Sequence, residues 1–148
     1  MLTQEQLFQI LEELKRDERV QGILLTGSYV YGTPHENSDL DIRIVTKDGS
    51  NWTDHESKKF GTLLHVYYNP SEIVRYYFEL KRNVGDPANI HAWAYGEIVY
   101  DPNGIVTQLQ QEARNVWKLG SATGKWKERA KYANREIITR KEKEILFE

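Results

Sequence analysis

The chain of 148 residues contains no cysteine, which excludes disulfide bonds, thiolate metal sites and a cysteine nucleophile. No apolar run approaches the roughly 20 residues of a membrane span, and no secretory hydrophobic region opens the chain. A large excess of either charge is also lacking, because 20 basic and 22 acidic residues give a net charge of -2. This balance gives no general case for binding nucleic acid or membrane. We therefore expect a cytoplasmic protein with no membrane partner, and nucleic acid is not an expected ligand.

The composition that remains is that of an ordinary globular domain. Hydrophobic residues make up 39% of the chain and aromatic residues 11%, enough for one domain with a buried core. Helical and strand-like patterns are mixed along the chain, so we expect an α+β fold. The expected organisation is an α/β core over residues 1–103 followed by a helical C-terminal segment at 104–148, not clearly independent of the core.

Apolar periodicity and turn residues predict the individual elements. The predicted strands are 20–26, 39–46, 62–68 and 97–100. The predicted helices run from Thr3 to about residue 16, from 72 to about 82, from 105 to about 118 with Gly120 as the stop, and from about 125. The polar stretch at 47–60 is expected to be a loop or a hairpin connection.

The most informative segment is 27–41, where two chemically distinct features stand close together. Gly27 and Ser28 directly follow the apolar strand at 20–26. Glycine permits a close backbone approach, and free amides at the start of a helix favour a phosphate. The serine adds a hydroxyl donor. Considered alone, Gly-Ser after a strand is more often a simple turn.

Asp39 and Asp41 are the second feature of this segment. Strand side chains alternate between faces, so both carboxylates point to one side while Leu40 and Ile42 face the core. Two convergent carboxylates near a phosphate cradle are what Mg²⁺-assisted phosphoryl or nucleotidyl transfer requires. A solvated face balanced by Arg43 is the alternative interpretation. Arg43 either contacts phosphate or neutralises an aspartate, and the neutralising role is favoured.

The complete pattern, Gly27-Ser28, ten residues, then Asp39-Leu40-Asp41, resembles the nucleotidyltransferase superfamily with the DNA polymerase β-type fold. It is especially similar to the minimal and antibiotic nucleotidyltransferases. Ser38 directly before Asp39, and Gly32-Thr33 in the loop, also match the usual local pattern.

The resemblance implies a mixed sheet flanked by helices and a function in nucleotide transfer. It implies that Gly27 and Ser28 contact the phosphates of an NTP, and that Asp39 and Asp41 hold two Mg²⁺ ions. It further implies that a nucleoside monophosphate is transferred to a hydroxyl of a small molecule or a protein while pyrophosphate leaves. The catalytic residues carried over are Asp39 and Asp41.

The strand at 62–68 departs from the family pattern, which places a third carboxylate there. The segment has no Asp or Glu, and His65 is the best positional substitute, acting as a base. His65 as a partly buried strand residue stays open as the alternative. Asp54, Glu56 and Glu72 are possible third acids only if the loop or the helix start folds back.

Three hypotheses for the whole chain follow. The leading one is a Mg²⁺-dependent nucleotidyltransferase. The second is a catalytically degenerate member that binds a nucleotide or a partner, such as a toxin–antitoxin component. The third is a structural α/β domain. The basic, amphipathic segment after residue 125 adds a possible homodimer or protein-partner contact. Elsewhere, His91 is expected to pack in the core, and Asp101 to belong to a turn at a helix start.

Overall fold

The computed structural model describes residues 2–27, 30, 39–84 and 88–122, apart from the side chains at 82–84 and 121–122. The helices in these ranges are α1 (Gln4–Lys15), α2 (Ser71–Val84), α3 (Ala88–Tyr95) and α4 (Ile105–Ala122). The strands are β1 (Val20–Thr26), β2 (Leu40–Thr46), β3 (Thr53–Lys59), β4 (Thr62–Pro70) and β5 (Glu97–Tyr100). The predicted helix after residue 125, with its proposed partner contact, lies outside the described residues.

The five strands form one mixed sheet in the order β3-β4-β2-β1-β5. Strands β2 and β4 are parallel, and the other neighbouring pairs are antiparallel. Helices pack on both faces of this sheet, so the α+β class and the mixed sheet flanked by helices are confirmed.

The alternation of β2 explains how the two sheet faces differ. Leu40, Ile42 and Ile44 are almost completely buried and belong to the cluster that packs against α1. Asp41 and Arg43 point to the opposite face. That second face is apolar where α2, α3 and α4 cover it and polar beyond them. The apolar side of β2 thus fixes which face presents the carboxylate.

The apolar part of the second face is covered by the three helices that come after β4 in the chain. Leu24 of β1 packs in one cluster with Phe78 of α2, Trp93 of α3 and Trp117 of α4. Helix α1 on the other face begins with the predicted capping box: the Thr3 hydroxyl accepts from the Gln6 amide at 3.1 Å, and the Thr3 amide donates to Oε1 of Gln6 at 3.0 Å.

Three features differ from the sequence-based expectation. Strand β3 lies inside the stretch predicted as a loop or hairpin connection. All its residues are exposed, so it has no apolar alternation to reveal it. Helix α3 was not predicted from the aromatic run at 88–95. Helix α4 continues past Gly120, because a helical glycine costs only about 1 kcal/mol and need not end the helix.

The predicted strands are otherwise confirmed, with ends displaced by at most two residues. Within the ranges described above, none of the helices combines the length and the apolar character that a bilayer crossing needs.

Candidate functional site

Gly27 directly follows the last residue of β1 and lies against the carboxylate of Asp41. Its φ is +87°, a conformation that side chains disfavour. A Cβ built on Gly27 would lie 3.1 Å from Oδ2 of Asp41. The backbone is therefore open beside this carboxylate only because the residue is glycine. The amide of Val30 donates to the carbonyl of Gly27 at 3.0 Å, so the chain turns here. Ser28 lies outside the described residues.

Asp41 lies on β2 opposite Thr26 of β1, and Asp39 is an exposed residue just before the strand. Burial raises the pKa of the Asp41 carboxyl above its ordinary value, while the charges of Arg43 and His65 lower it and Asp39 raises it. The two aspartates thus interact electrostatically, as the two-residue spacing predicts. A cation bound between them would relieve both their repulsion and the cost of burying Asp41.

A row of charged and titratable side chains crosses the sheet from Asp41. In the parallel pair, Asp41 lies opposite His65 of β4, and in the antiparallel pair His65 lies opposite Glu56 of β3. Residues directly opposite on neighbouring strands share a face. The three side chains therefore stand side by side on the polar face.

His65 is held by side chains of its own strand and of β3. Its Nε2 lies 3.2 Å from Oδ2 of Asp54, and its Nδ1 lies 3.2 Å from the hydroxyl of Tyr67. Oε1 of Glu56 is 3.8 Å from Nδ1. The imidazole also stacks on the Tyr67 ring, with centroids 4.2 Å apart and an interplanar angle of 19°. This network fixes the plane of the imidazole.

The protonation state of the Tyr67 phenol determines which atoms of this network donate hydrogen bonds and which accept them. Burial raises the pKa of the phenol above its ordinary value; the guanidinium of Arg43 lowers it, and the nearby carboxylates raise it. The phenol thus keeps its proton at neutral pH and is able to donate to Nδ1 of His65. With Nδ1 accepting from Tyr67, the N–H at Nε2 donates to Oδ2 of Asp54. Arg43 lies over the Tyr67 ring at 4.6 Å and completes this layer.

The structure shows where each of the possible third acids, Asp54, Glu56 and Glu72, lies relative to His65. The segment that carries Asp54 and Glu56 does fold back, as strand β3, and it brings both carboxylates to His65. Glu72 does not join them, because it lies in the first turn of α2 and accepts from the amide of Gly49 at 3.0 Å. Sequence reasoning missed the role of Tyr67. For Asp54 and Glu56, the sequence did offer a signal. Their two-residue spacing, like that of Asp39 and Asp41, places both carboxylates on one face if the segment is a strand.

A cleft of about 300 Å³ opens beside this network on the same sheet face. Its lining comes from the sheet, from the loop before β3 and from helices α2 and α3, and includes Arg43, Trp52, Tyr67, Tyr77 and Lys81. The volume is at the lower limit of ligand pockets, which span about 300–1,000 Å³. Sequence analysis did not identify this cleft, because its residues are scattered between positions 43 and 89.

The donor set fits a magnesium ion that arrives with a triphosphate rather than a metal held by the protein alone. In the described part of the chain, no group of three or more His, Asp or Glu side chains is placed to hold a metal. Mg²⁺ in phosphate-transfer sites takes only one or two carboxylates and completes its shell with phosphate oxygens and water. Asp39 and Asp41 would supply such a pair of carboxylates, and Gly27 places no side chain beside Asp41.

Two other residues considered in the sequence have structural roles. His91 is 6% exposed and packs against the rings of Tyr95 and Trp117, as expected of a core residue. Asp101 accepts hydrogen bonds from the amides of Val106 and Thr107 at the start of α4, at 3.0 and 2.9 Å. The turn and helix-start interpretation of Asp101 is therefore confirmed.

Comparison with known proteins identifies the family. The family model described as a nucleotidyltransferase domain matches residues 7–94, more than half of the chain, and the chain belongs to this family. The matched region contains Gly27, Asp39, Asp41 and His65. The nucleotidyltransferase assignment made from the motif is thereby confirmed.

A solved structure shows the same fold in a longer protein. The nucleotidyltransferase-like protein from Exiguobacterium sibiricum 255-15 is similar with a TM-score of 0.56 and 15% sequence identity, over 80% of this chain and 42% of that one. At this identity the likeness concerns the fold alone. The chain spans less than half the length of that protein. No curated protein matches the chain.

Proposed function

We propose that this domain is a Mg²⁺-dependent nucleotidyltransferase that moves a nucleoside monophosphate from an NTP, such as ATP, to a hydroxyl acceptor. The observation that carries the proposal is the contact of Gly27 with Asp41, where a Cβ would lie 3.1 Å from the carboxylate oxygen. In a chain of the nucleotidyltransferase family, this opening beside a partly buried aspartate is where a phosphate and its cation fit.

The nucleotide side of the site is formed by the ends of β1 and β2. Gly27 and Ser28 are the proposed phosphate contacts, and Asp39 and Asp41 the proposed ligands of two ions. The bound ions would neutralise charge on the phosphates and orient them. Arg43 is a further proposed phosphate contact, although its position over Tyr67 and its effect on the pKa of Asp41 favour the neutralising role.

The acceptor side is formed by β4 and β3. His65 is the proposed base: the acceptor hydroxyl passes its proton to the Tyr67 hydroxyl, and Tyr67 gives its own proton to Nδ1 of His65, as the acceptor oxygen bonds to the α-phosphorus. The bond from that phosphorus to the leaving oxygen breaks, and pyrophosphate departs with its electron pair. The imidazolium so formed lies between the carboxylates of Asp54 and Glu56, which stabilise it. These two strand-β3 residues thereby take the place of the absent third carboxylate.

The test is pyrophosphate release together with transfer of the α-phosphate label from NTPs to a panel of small-molecule and tyrosine-containing acceptors. We expect activity in the wild type with Mg²⁺. His65→Gln is expected to reduce kcat by about 10²–10⁴-fold, the usual contribution of a general base. His55→Gln is the matched control, because His55 lies on β3 with its ring against Tyr68, outside the network. Equal losses in both variants would remove His65 from the mechanism.

A catalytically degenerate binder, including a partner-binding toxin–antitoxin component, is the second candidate. It is favoured by the exposure of the substitute acids, since the side chains of Asp54 and Glu56 are 64% and 65% exposed. Exposed carboxylates hold an imidazole less firmly than buried ones. NTP binding without release of pyrophosphate, across all NTPs and acceptors tested, would support this candidate over transfer.

A further inference from the structure

We propose that the cleft beside His65 is the acceptor subsite, and that it takes a small, flat, hydroxyl-bearing aromatic compound with a negative charge. The assignment of the ligand as an acceptor rests on the proposed function. The binding preference itself rests on the cleft: its place in the sheet, its aromatic walls and its charges.

The cleft is continuous with the His65 network. Arg43, Tyr67 and Asp54 lie opposite one another on β2, β4 and β3, and all three line the cleft. This row is two residues along the strands from the row of Asp41 and His65, a displacement of about 7 Å. Asp54 and Tyr67 both contact His65 and line the cleft. A hydroxyl on a ligand in the cleft would therefore reach the proposed base through the hydroxyl of Tyr67.

The walls favour a flat ring. Trp52, Tyr67 and Tyr77 line the cleft from the loop before β3, from β4 and from α2. Trp52 is 57% exposed although it is a large aromatic side chain, and such a surface is suited to stacking. A volume of about 300 Å³ accommodates one or two rings. It is too small to enclose a multi-ring sugar such as an aminoglycoside.

The charges favour an anion over a cation. Arg43 and Lys81 contribute two positive charges to the lining and Asp54 contributes one negative charge, so positive charge is in excess. A polycationic acceptor would be repelled by the two basic side chains, whereas an anionic group would be attracted. The buried Oδ1 of Asn89 lines the cleft and has no hydrogen-bond partner among the residues described. It would accept from an N–H or O–H of the ligand.

The experiment is a calorimetric and fluorescence titration of the full chain without nucleotide. The probes are N-acetyl-L-tyrosine, which carries a phenol, an amide N–H and a negative charge; tyramine, which carries the same phenol and a positive charge; and kanamycin. We expect N-acetyl-L-tyrosine to bind at least about fivefold more tightly than tyramine, and kanamycin not to compete. We expect a change in tryptophan fluorescence that Trp52→Phe abolishes.

Reversing the charge of Lys81, which lines the cleft, tests whether that charge sets the binding preference. Lys81→Glu is expected to invert the preference, so that tyramine binds more tightly than N-acetyl-L-tyrosine. Lys118→Glu, an exposed position on α4 with the same charge change, is expected to leave the preference intact. Thermal unfolding of each variant confirms that it is folded, and Lys81→Gln serves as a milder variant, with the preference reduced rather than inverted.

Equal affinity for the anionic and cationic phenols, binding of kanamycin, or no binding at millimolar concentration would overturn the inference, as would a preference unaffected by Lys81→Glu. Because the binding titration contains no NTP, its result does not depend on whether the protein catalyses the proposed transfer. Selective binding without label transfer would refute transfer alone. Label transfer to an acceptor that does not bind the cleft would refute the subsite alone.

Discussion

Gly27 joins the backbone geometry of the fold to the chemistry of the site. Its positive φ and its contact with the Asp41 carboxylate are two independent reasons for glycine at this position. Gly49 offers a comparison, because it has a φ of +79° but nothing within 4 Å of a Cβ built on it. The two glycines therefore share the backbone requirement and differ in the contact.

Replacing each glycine by alanine separates these effects. We expect Gly27→Ala and Gly49→Ala each to lower the free energy of unfolding by about 1–2 kcal/mol, the cost of a left-handed conformation. Only Gly27→Ala is expected to weaken binding of Mg²⁺-NTP, by about tenfold or more. Urea unfolding and calorimetry with an NTP analogue measure the two quantities. A similar loss of binding in both variants would show that strain, not the Asp41 contact, is responsible.

The sequence predicts which face a single residue near the motif occupies wherever strand alternation, with its period of two residues, determines it. The common face of Asp41 and Arg43, and the burial of Leu40 and Ile42, followed directly from strand alternation. The contacts of His65 could not be predicted in this way. They depend on which strand lies beside β4 and in which register, and neither is encoded in a local pattern.

At the scale of elements, β3 supplies what the motif lacks. It is an edge strand with all seven residues exposed, and it pairs with β4 over its whole length. Because no apolar side chain marks it, pairing alone identifies it as a strand. Its register places Asp54 opposite Tyr67 and Glu56 opposite His65.

Substitutions on β3 test whether it orients the base. Asp54→Asn is expected to lower kcat about tenfold or more with the KM for NTP unchanged, because the hydrogen bond to His65 is weakened while the nucleotide contacts remain. Asp54→Glu should recover part of the loss. Glu56→Gln is expected to have a smaller effect, since Glu56 lies 3.8 Å rather than 3.2 Å from His65. A change in KM alone would contradict a positioning role for Asp54.

The start of α4 gives a second prediction at this scale. Burial alone would raise the pKa of Asp101, but the hydrogen bonds from Thr107 and Val106 outweigh it and hold the pKa below 3.8. Asp101→Ala is expected to lower the free energy of unfolding by about 1 kcal/mol at pH 7. Since the folded pKa is depressed, this stabilisation is complete above about pH 4 and disappears as the pH falls through the folded value.

Denaturant unfolding of both proteins between pH 3 and pH 7 measures this difference. Asp101→Asn serves as the control, because its single amide oxygen keeps one of the two acceptor positions and does not titrate. A difference between wild type and Asp101→Ala that stays constant with pH would contradict the ionic cap.

At the scale of the whole molecule, α4 belongs to the core although the family match ends at residue 94. Trp117 is 1% exposed, and Val106 and Leu109 pack in the cluster that contains Leu24. The side-chain amide of Gln110 also donates to the carbonyls of Trp93 and Gly96, at 3.1 and 2.9 Å. A boundary at residue 103, predicted from the turn, stays a prediction.

Truncation tests how far the core depends on α4. A chain that ends after residue 103 is expected to lose cooperative thermal unfolding, because one face of the sheet loses its cover. A chain that ends after residue 122 keeps α4 and is expected to unfold cooperatively. Calorimetric scans of both chains provide the measurement. Cooperative unfolding of the shorter chain would show that residues 1–103 form a domain by themselves.

Asp39 and Asp41, beside Gly27, are proposed to form a site for a Mg²⁺-bound triphosphate. Calorimetric titration with a non-hydrolysable ATP analogue, with and without Mg²⁺, tests it most directly in the wild type and in Asp41→Asn. We predict binding at least about tenfold tighter with Mg²⁺ in the wild type, and no such enhancement in Asp41→Asn. The variant should melt no lower than the wild type, because it removes a partly buried charge near Asp39. Equal binding with and without Mg²⁺, or an unchanged enhancement in the variant, would contradict the claim.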